Sequence, residues 1–211
     1  MTAKFFIIGA GGFAREIYAY LEETDFTLNG VQLAGFLDDN PHALDGFNLK
    51  HRLEGALLNN ELPLGSKLLM AVANPSLKEM IFNFYKQLGF DFLTYKHQTA
   101  FIGNNVVLGE GTIVAPQSVV TADVTVGKCV TINALSSIGH DASVGNFSTL
   151  SGHCDVTGFV QLGEKVFMGS HALVIPNVKI GDMAVIGAGS VVISKVKPGV
   201  TMFGNPAKKI K

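Results

Sequence analysis

From Ile102 to Val192 an apolar residue stands at every sixth position, running through Val114, Ile132, Leu150, Met168 and Ile186 without a break. Two places before each of these comes a small or β-branched residue, among them Thr112, Ser118, Ser136, Ala142, Ser148, Cys154, Ala172 and Ser190. A helix would repeat at 3.6 and a lone strand at 2, so a sustained six needs another geometry. Both series must face inward in a solenoid of short parallel strands, where no repeat buries its apolar face alone and stacked neighbours build a continuous core.

The period of 18 is visible as well. Gly109, Gly127, Gly145, Gly163 and Gly181 fall on one line. Three hexads then form one triangular coil, as in a left-handed parallel β-helix, and residues 18 apart become surface neighbours at a spacing of ~4.8 Å. The glycine column marks a backbone conformation other residues resist, or a place where something approaches closely.

Before the repeat the pattern changes. Lys4 to Ile8 reads as a buried strand, Gly9-Ala10-Gly11-Gly12-Phe13-Ala14 as a glycine turn, and the residues through Tyr18 and Leu21 as a helix. Further strands are expected at Gln32–Leu37, ending in Asp38-Asp39-Asn40, and at Lys67–Val72, ending in Ala73-Asn74-Pro75. The fold class is therefore a small Rossmann-like α/β domain over residues 1–96, followed by an all-β left-handed parallel β-helix and tail over 97–211. Loops after parallel strands meet along one edge, where glycines admit a diphosphate and a helix N-terminus offers N–H groups. Gly11, Gly12, Asp38, Asp39 and Asn74 are the binding candidates there. The length suits one nucleotide moiety better than the dinucleotide of an NAD fingerprint; a third reading is a turn that only joins strand to helix.

Composition narrows the partners. The 211 residues carry a formal net charge of −1 with 16 % charged residues, so no basic field for nucleic acid and no polybasic membrane segment are present. No apolar run reaches a bilayer span, and Met1 to Ile8 lacks a signal-peptide layout, so a cytoplasmic location is expected. Cys129 and Cys154 show no ligand-like spacing.

Three histidines lie within the repeat. His153 and His171 differ by 18 and should stack on adjacent coils; His140 stands elsewhere, followed by Asp141. Three imidazoles on a β-helix suggest zinc, as in gamma carbonic anhydrases, but converging ligands and outer partners are not evident, and no metal is expected. A carboxylate beside His140 would orient the ring and raise its basicity.

The glycine turn with Phe36-Leu37-Asp38-Asp39, the hexads Ser136-Ser137-Ile138-Gly139-His140-Asp141 and the closing Phe203-Gly204-Asn205-Pro206-Ala207-Lys208 together resemble the bacterial sugar O- and N-acyltransferases, relatives of the sialic acid O-acetyltransferases and the bacillosamine-pathway acetyltransferases. The resemblance implies a homotrimer with active sites between subunits, acetyl-CoA between neighbouring β-helices, a nucleotide sugar in the front domain, and a place in surface polysaccharide or glycan biosynthesis. It implies His140 as general base, Asp141 as its orienting carboxylate, Asn133, Thr149, Gly158, Ser170 and Ala188 along the acetyl-CoA cleft, and Gly11, Gly12, Phe13, Asp38 and Asp39 at the sugar nucleotide. Two departures stand out, since some members carry histidine where this chain has Phe13 and Thr149. The acceptor expected is the 4-amino group of a UDP- or dTDP-linked deoxysugar. A sugar hydroxyl, as in sialic acid O-acetylation, and a non-catalytic sugar-nucleotide-binding trimer are the alternatives.

Overall fold

A computed structural model describes residues 4–59 and 61–211; Met1, where the first domain is expected to begin, lies outside them. The chain divides into two compact units, one of residues 1–73 with 77–93 and one of 74–76 with 94–211.

The first unit is built on β1 (Lys4–Ile8), α1 (Gly12–Glu22), β2 (Thr27–Leu28), β3 (Val31–Leu37), β4 (Leu53–Gly55), β5 (Lys67–Met70), α2 (Pro75–Gln87) and β6 (Asp91–Phe92). The sheet runs β2-β3-β1-β5-β6, with β4 beside β3; β2 alone pairs antiparallel. Phe5 to Ile8 are buried in succession, the run expected of a strand covered on both faces. Helix α1 buries Ala14, Ile17, Tyr18 and Leu21, a single stripe at i, i+3, i+4 and i+7. Tyr85 of α2 donates its hydroxyl to Leu57 O at 3.0 Å and accepts from Asn59 N at 3.0 Å; burial pushes its pKa up. The loop after β4 is thereby pinned from below.

The second unit is a left-handed parallel β-helix. From Tyr95–Lys96 to Val191–Val192 its strands are two residues long and pair in parallel with a register of 18, as Ile113 with Thr131, Thr149 and Phe167, and Val119 with Ser137, Asp155 and Leu173; the closing strand Thr201–Phe203 pairs with Val185–Ile186 at a spacing of 16 and with Lys208–Lys209 antiparallel. Pairing begins at Tyr95–Lys96, one hexad before Ile102. Lys96 holds the apolar slot of that hexad and is exposed, which hides the rung from the pattern.

Val114 to Val192 of the six-residue series are at most 4 % exposed; Ile102 and Leu108, at the first rungs, are partly buried. The inward hydroxyls have partners that run with the coil. Thr112, Ser118, Ser136 and Ser148 each donate to a carbonyl 15 residues on, at 2.8 to 3.0 Å, and Ser136 and Ser148 also accept from the N–H groups of Cys154 and Val166. A buried hydroxyl satisfied on both sides contributes about 1 kcal/mol rather than costing that much.

Each corner turns through a left-handed residue. Every sixth position from Asn105 to Gly189 has positive φ, and most of these are not glycine; Leu135, Phe147 and Phe159 are among them. The glycine column answers to the second of its two readings. None of its members has positive φ, and a Cβ on Gly109 would lie 2.5 Å from the Gly127 carbonyl carbon, on Gly127 2.6 Å from Asn146 N. Glycine is required there because the next coil passes too close for a side chain.

Candidate active site

Ser137–Ile138 is a strand whose inward residue, Ile138, is fully buried, so the three residues after it are carried out to a corner. Asp141 takes the left-handed conformation there, φ +58°, and its N–H donates to Ala122 O of the preceding rung at 3.1 Å. This turn swings the carboxylate back, and Asp141 Oδ2 lies 2.8 Å from His140 Nδ1. In regular strand, adjacent side chains would point to opposite faces. With Nδ1 engaged, Nε2 is the nitrogen left to exchange a proton.

One rung on, the same corner carries Gly158 and Phe159. A Cβ on Gly158 would fall 2.8 Å from His140 Nε2 and 2.9 Å from Cε1. The ring of Phe159 meets the imidazole edge to face, centroids 5.1 Å apart at 90°. Phe159 N donates to His140 O at 2.9 Å, which fixes the two rungs together. The Gly158 N–H has no acceptor among the described residues.

In the first unit, the loops after β1, β3 and β5 come together. Gly9 has φ +95°, donates to Leu37 O at 2.8 Å, and would set a Cβ 3.1 Å from Ala71 O; here both conformation and space require glycine. Ala10 N donates to Asp38 Oδ2 at 2.7 Å and Asn40 N to Asp38 Oδ1 at 2.9 Å, while Leu57 N donates to Asp39 Oδ1 at 2.9 Å. Asp38 thus clamps the glycine turn, and Asp39 keeps one oxygen free of these bonds. Both line a cavity of about 350 Å³ with Pro41, Leu53, Gly55 and Ala56. Gly11 precedes α1 without any side-chain cap, and a Cβ on Gly11 or Gly12 would meet nothing within 4 Å.

Residues 4–84 match the family model of the PglD N-terminal domain. Three solved structures span the whole length. PerB from Caulobacter crescentus, solved with CoA and GDP-perosamine, is 28 % identical, with 100 % of this chain and 99 % of that one covered at a TM-score of 0.88. The acetyltransferase domain of PglB from Neisseria gonorrhoeae FA1090, solved with acetyl coenzyme A, is 27 % identical over 100 % of both chains at 0.86. WeeI from Acinetobacter baumannii AYE is 26 % identical over 99 % of this chain and 100 % of that one at 0.87. At 26–28 % identity over its full length, the chain is similar to sugar-nucleotide acetyltransferases of the hexapeptide-repeat acyltransferase superfamily. No curated protein matches it.

The expected coenzyme residues do not all gather at His140. Gly158 shares its corner. Asn133, Ser170 and Ala188 lie on the corner before it, with Ser170 and Ala188 18 residues apart, and a six-residue rung of roughly 15 to 20 Å separates the two corners. Thr149, on the strand Thr149–Leu150, is only 3 % exposed. Phe13 is half-buried in the first turn of α1, and Asn74 directly precedes α2. His153 and His171 stack as expected, centroids 4.5 Å apart and planes at 9°, so their in-plane lone pairs run side by side instead of converging. Among the described residues no group of three His, Cys, Asp or Glu is placed to hold a metal ion.

The sequence reading did not single out Arg15, Phe47 and Phe159. Arg15 stacks on Phe47, Cζ 3.9 Å from the ring centroid, and Nη1 donates to Ala10 O at 3.3 Å. A basic residue in the first turns of a helix opposes the macrodipole, which is a signal the sequence does carry. Phe159 has no such signal; its meaning depends on a neighbour 19 residues away.

Proposed function

We propose that the protein is an acetyl-CoA-dependent N-acetyltransferase that acts on the 4-amino group of a nucleotide-linked deoxysugar in surface polysaccharide or glycan biosynthesis. The observation that carries this reading is the His140 Nδ1 to Asp141 Oδ2 contact of 2.8 Å on a β-helix corner. It is the arrangement of an oriented general base. The likeness to PerB, solved with CoA and GDP-perosamine, and to PglB, solved with acetyl coenzyme A, supports both substrates. GDP-linked amino sugars therefore stand in the test panel beside UDP- and dTDP-linked ones.

In this reaction the sugar amine attacks the thioester carbonyl while His140 Nε2 accepts its proton. The tetrahedral intermediate then expels the CoA thiolate, which takes up a proton to leave as the thiol. Asp141 stabilises the imidazolium as it forms. A positioned imidazole contributes ~10² to 10⁴-fold. The unpartnered N–H of Gly158 is the donor assigned to the developing oxyanion.

Acetyl-CoA runs past Asn133, Gly158, Ser170 and Ala188 in this reading, with buried Thr149 backing the wall. Because one coil carries the base and most of these residues on different corners, one chain does not offer both to a single thioester. A homotrimer with sites between subunits answers that difficulty. The nucleotide sugar belongs to the front domain, residues 1–96, with the β-helix domain, 97–211, supplying the chemistry. Gly11 and Gly12 are glycine with no internal reason for it, as expected where a diphosphate approaches the uncapped N-terminus of α1. Phe13, Asp38, Asp39 and Asn74 complete the sugar-nucleotide set. The reading keeps the expected cytoplasmic location; no helix among the described residues is long and apolar enough to cross a membrane.

The test is mass spectrometry of reactions containing acetyl-CoA and a panel of UDP-, dTDP- and GDP-linked 4-amino sugars plus sialic acid. A single nucleotide amino sugar gaining one acetyl group is the expected result, and His140→Ala should cut its turnover by about 100-fold or more. Acetylation of sialic acid alone would replace the amine reading with O-acetyl transfer, and normal turnover in His140→Ala would remove the base.

A further inference from the structure

The left-handed position on the His140 corner is filled, rung by rung, by Asn105, Asp123, Asp141, Phe159 and Asn177, with φ between +57° and +66°. Asn and Asp take this conformation at least cost; a bulky aromatic residue takes it rarely. Phe159 is therefore the exception in its own column. Core packing does not account for it, because the residue is 49 % exposed. What it does touch is the His140 ring, edge to face at 5.1 Å.

The imidazole needs such a neighbour. The His140 side chain is 60 % exposed, and its contact with Asp141 fixes one edge only, leaving the ring free to tilt about that bond. Gly158 gives it a floor without a side chain, and Phe159 stands at its flank on the same rung. Since Phe159 N also donates to His140 O, the aromatic side chain is anchored to the backbone of the residue it borders. Leu135 and Met183 also occupy left-handed corners while exposed, but at other corners of the coil.

We propose that Phe159 is the positioning residue for the His140 imidazole, holding Nε2 toward the acceptor amine. This rests on the reading of His140 as the general base. A displacement of the base by about 1 Å is enough to cost ~100-fold in rate, so a flank that limits tilting acts on turnover more than on binding.

Two measurements test it. Histidine labelled with ¹³C at Cε1 gives NMR resonances that His140→Ala assigns; the Phe159 ring current displaces the His140 signal, and Phe159→Leu should move it. Kinetics are then run with acetyl-CoA and the panel acceptor that turns over, on Phe159→Asn, the residue type its column otherwise uses, and on Phe159→Tyr. The expected result is a kcat lower by about 10-fold in Phe159→Asn with KM for acetyl-CoA within about twofold, and near-parental kcat in Phe159→Tyr. Parental kcat in Phe159→Asn would overturn the proposal, as would a changed oligomeric mass by ultracentrifugation in that variant. An inactive His140→Ala beside a fully active Phe159→Asn removes only the role of Phe159, whereas an active His140→Ala removes the base itself.

Discussion

The imidazole of His140 lies over the α-carbon of Gly158, its neighbour one coil further on, so closely that a methyl group there would stand 2.8 Å from Nε2. The two residues are 18 apart in the chain, the spacing that makes neighbours on successive coils, but the sequence does not give how closely they meet. Gly158→Ala is expected to push the ring off its Asp141 contact and lower kcat by about 10-fold or more, with folding retained because the imidazole can swing outward. Steady-state kinetics beside a thermal melt would check this; unchanged kcat would mean the ring does not need that floor.

Asp141→Asn keeps the shape of the His140 partner and removes its charge. An amide that donates to Nδ1 would hold the ring proton on Nε2, the wrong nitrogen for a base. A kcat about 10-fold lower is expected, a milder loss than that of His140→Ala. Rates for both variants, measured with the same acceptor, decide the order.

Two groups of glycines should behave oppositely. In Gly127→Ala the new Cβ would meet Asn146 N at 2.6 Å, and since backbone rather than a flexible side chain must yield, a loss of about 2–4 kcal/mol is expected by denaturant unfolding. Gly12→Ala meets nothing within 4 Å and should leave stability within about 1 kcal/mol. Its effect belongs instead to the nucleotide sugar, whose KM should rise while KM for acetyl-CoA stays.

Burial pushes the Cys154 thiol up to about 11. The folded pKa exceeds that of the unfolded thiol, so the stability tied to the protonated form is fully present below about pH 8.5 and is lost as pH climbs through about 11. Near pH 11 and above the loss approaches about 3 kcal/mol. Tyr85 and Tyr20 also have raised pKa values, so the measurement is the difference in unfolding free energy between the parent and Cys154→Ala at pH 8 and pH 11. That difference should shrink as pH rises; a constant difference would disprove the assignment.

The β-helix was legible in the chain because its core condition is local and periodic: each coil must present apolar residues at the same phase, so Val114, Ile132 and Leu150 announce the fold before any contact is known. The strand, glycine turn and helix at Lys4 to Leu21 were readable for the same reason. What escaped was decided between coils. The rung at Tyr95–Lys96 is hidden because Lys96 breaks the apolar series, and only pairing with Ile113 reveals it. The cause of the glycine column, close approach and not conformation, needed the next coil in place. Both carboxylate oxygens of Asp38 accept from backbone N–H groups, of Ala10 and Asn40, and the contact with Ala10, 28 residues away, exists only once β1 and β3 are paired. Sequence fixes phase along one chain; the meeting of His140 with Gly158 and Phe159 depends on how coils stack, and stacking distances are properties of the folded solenoid alone.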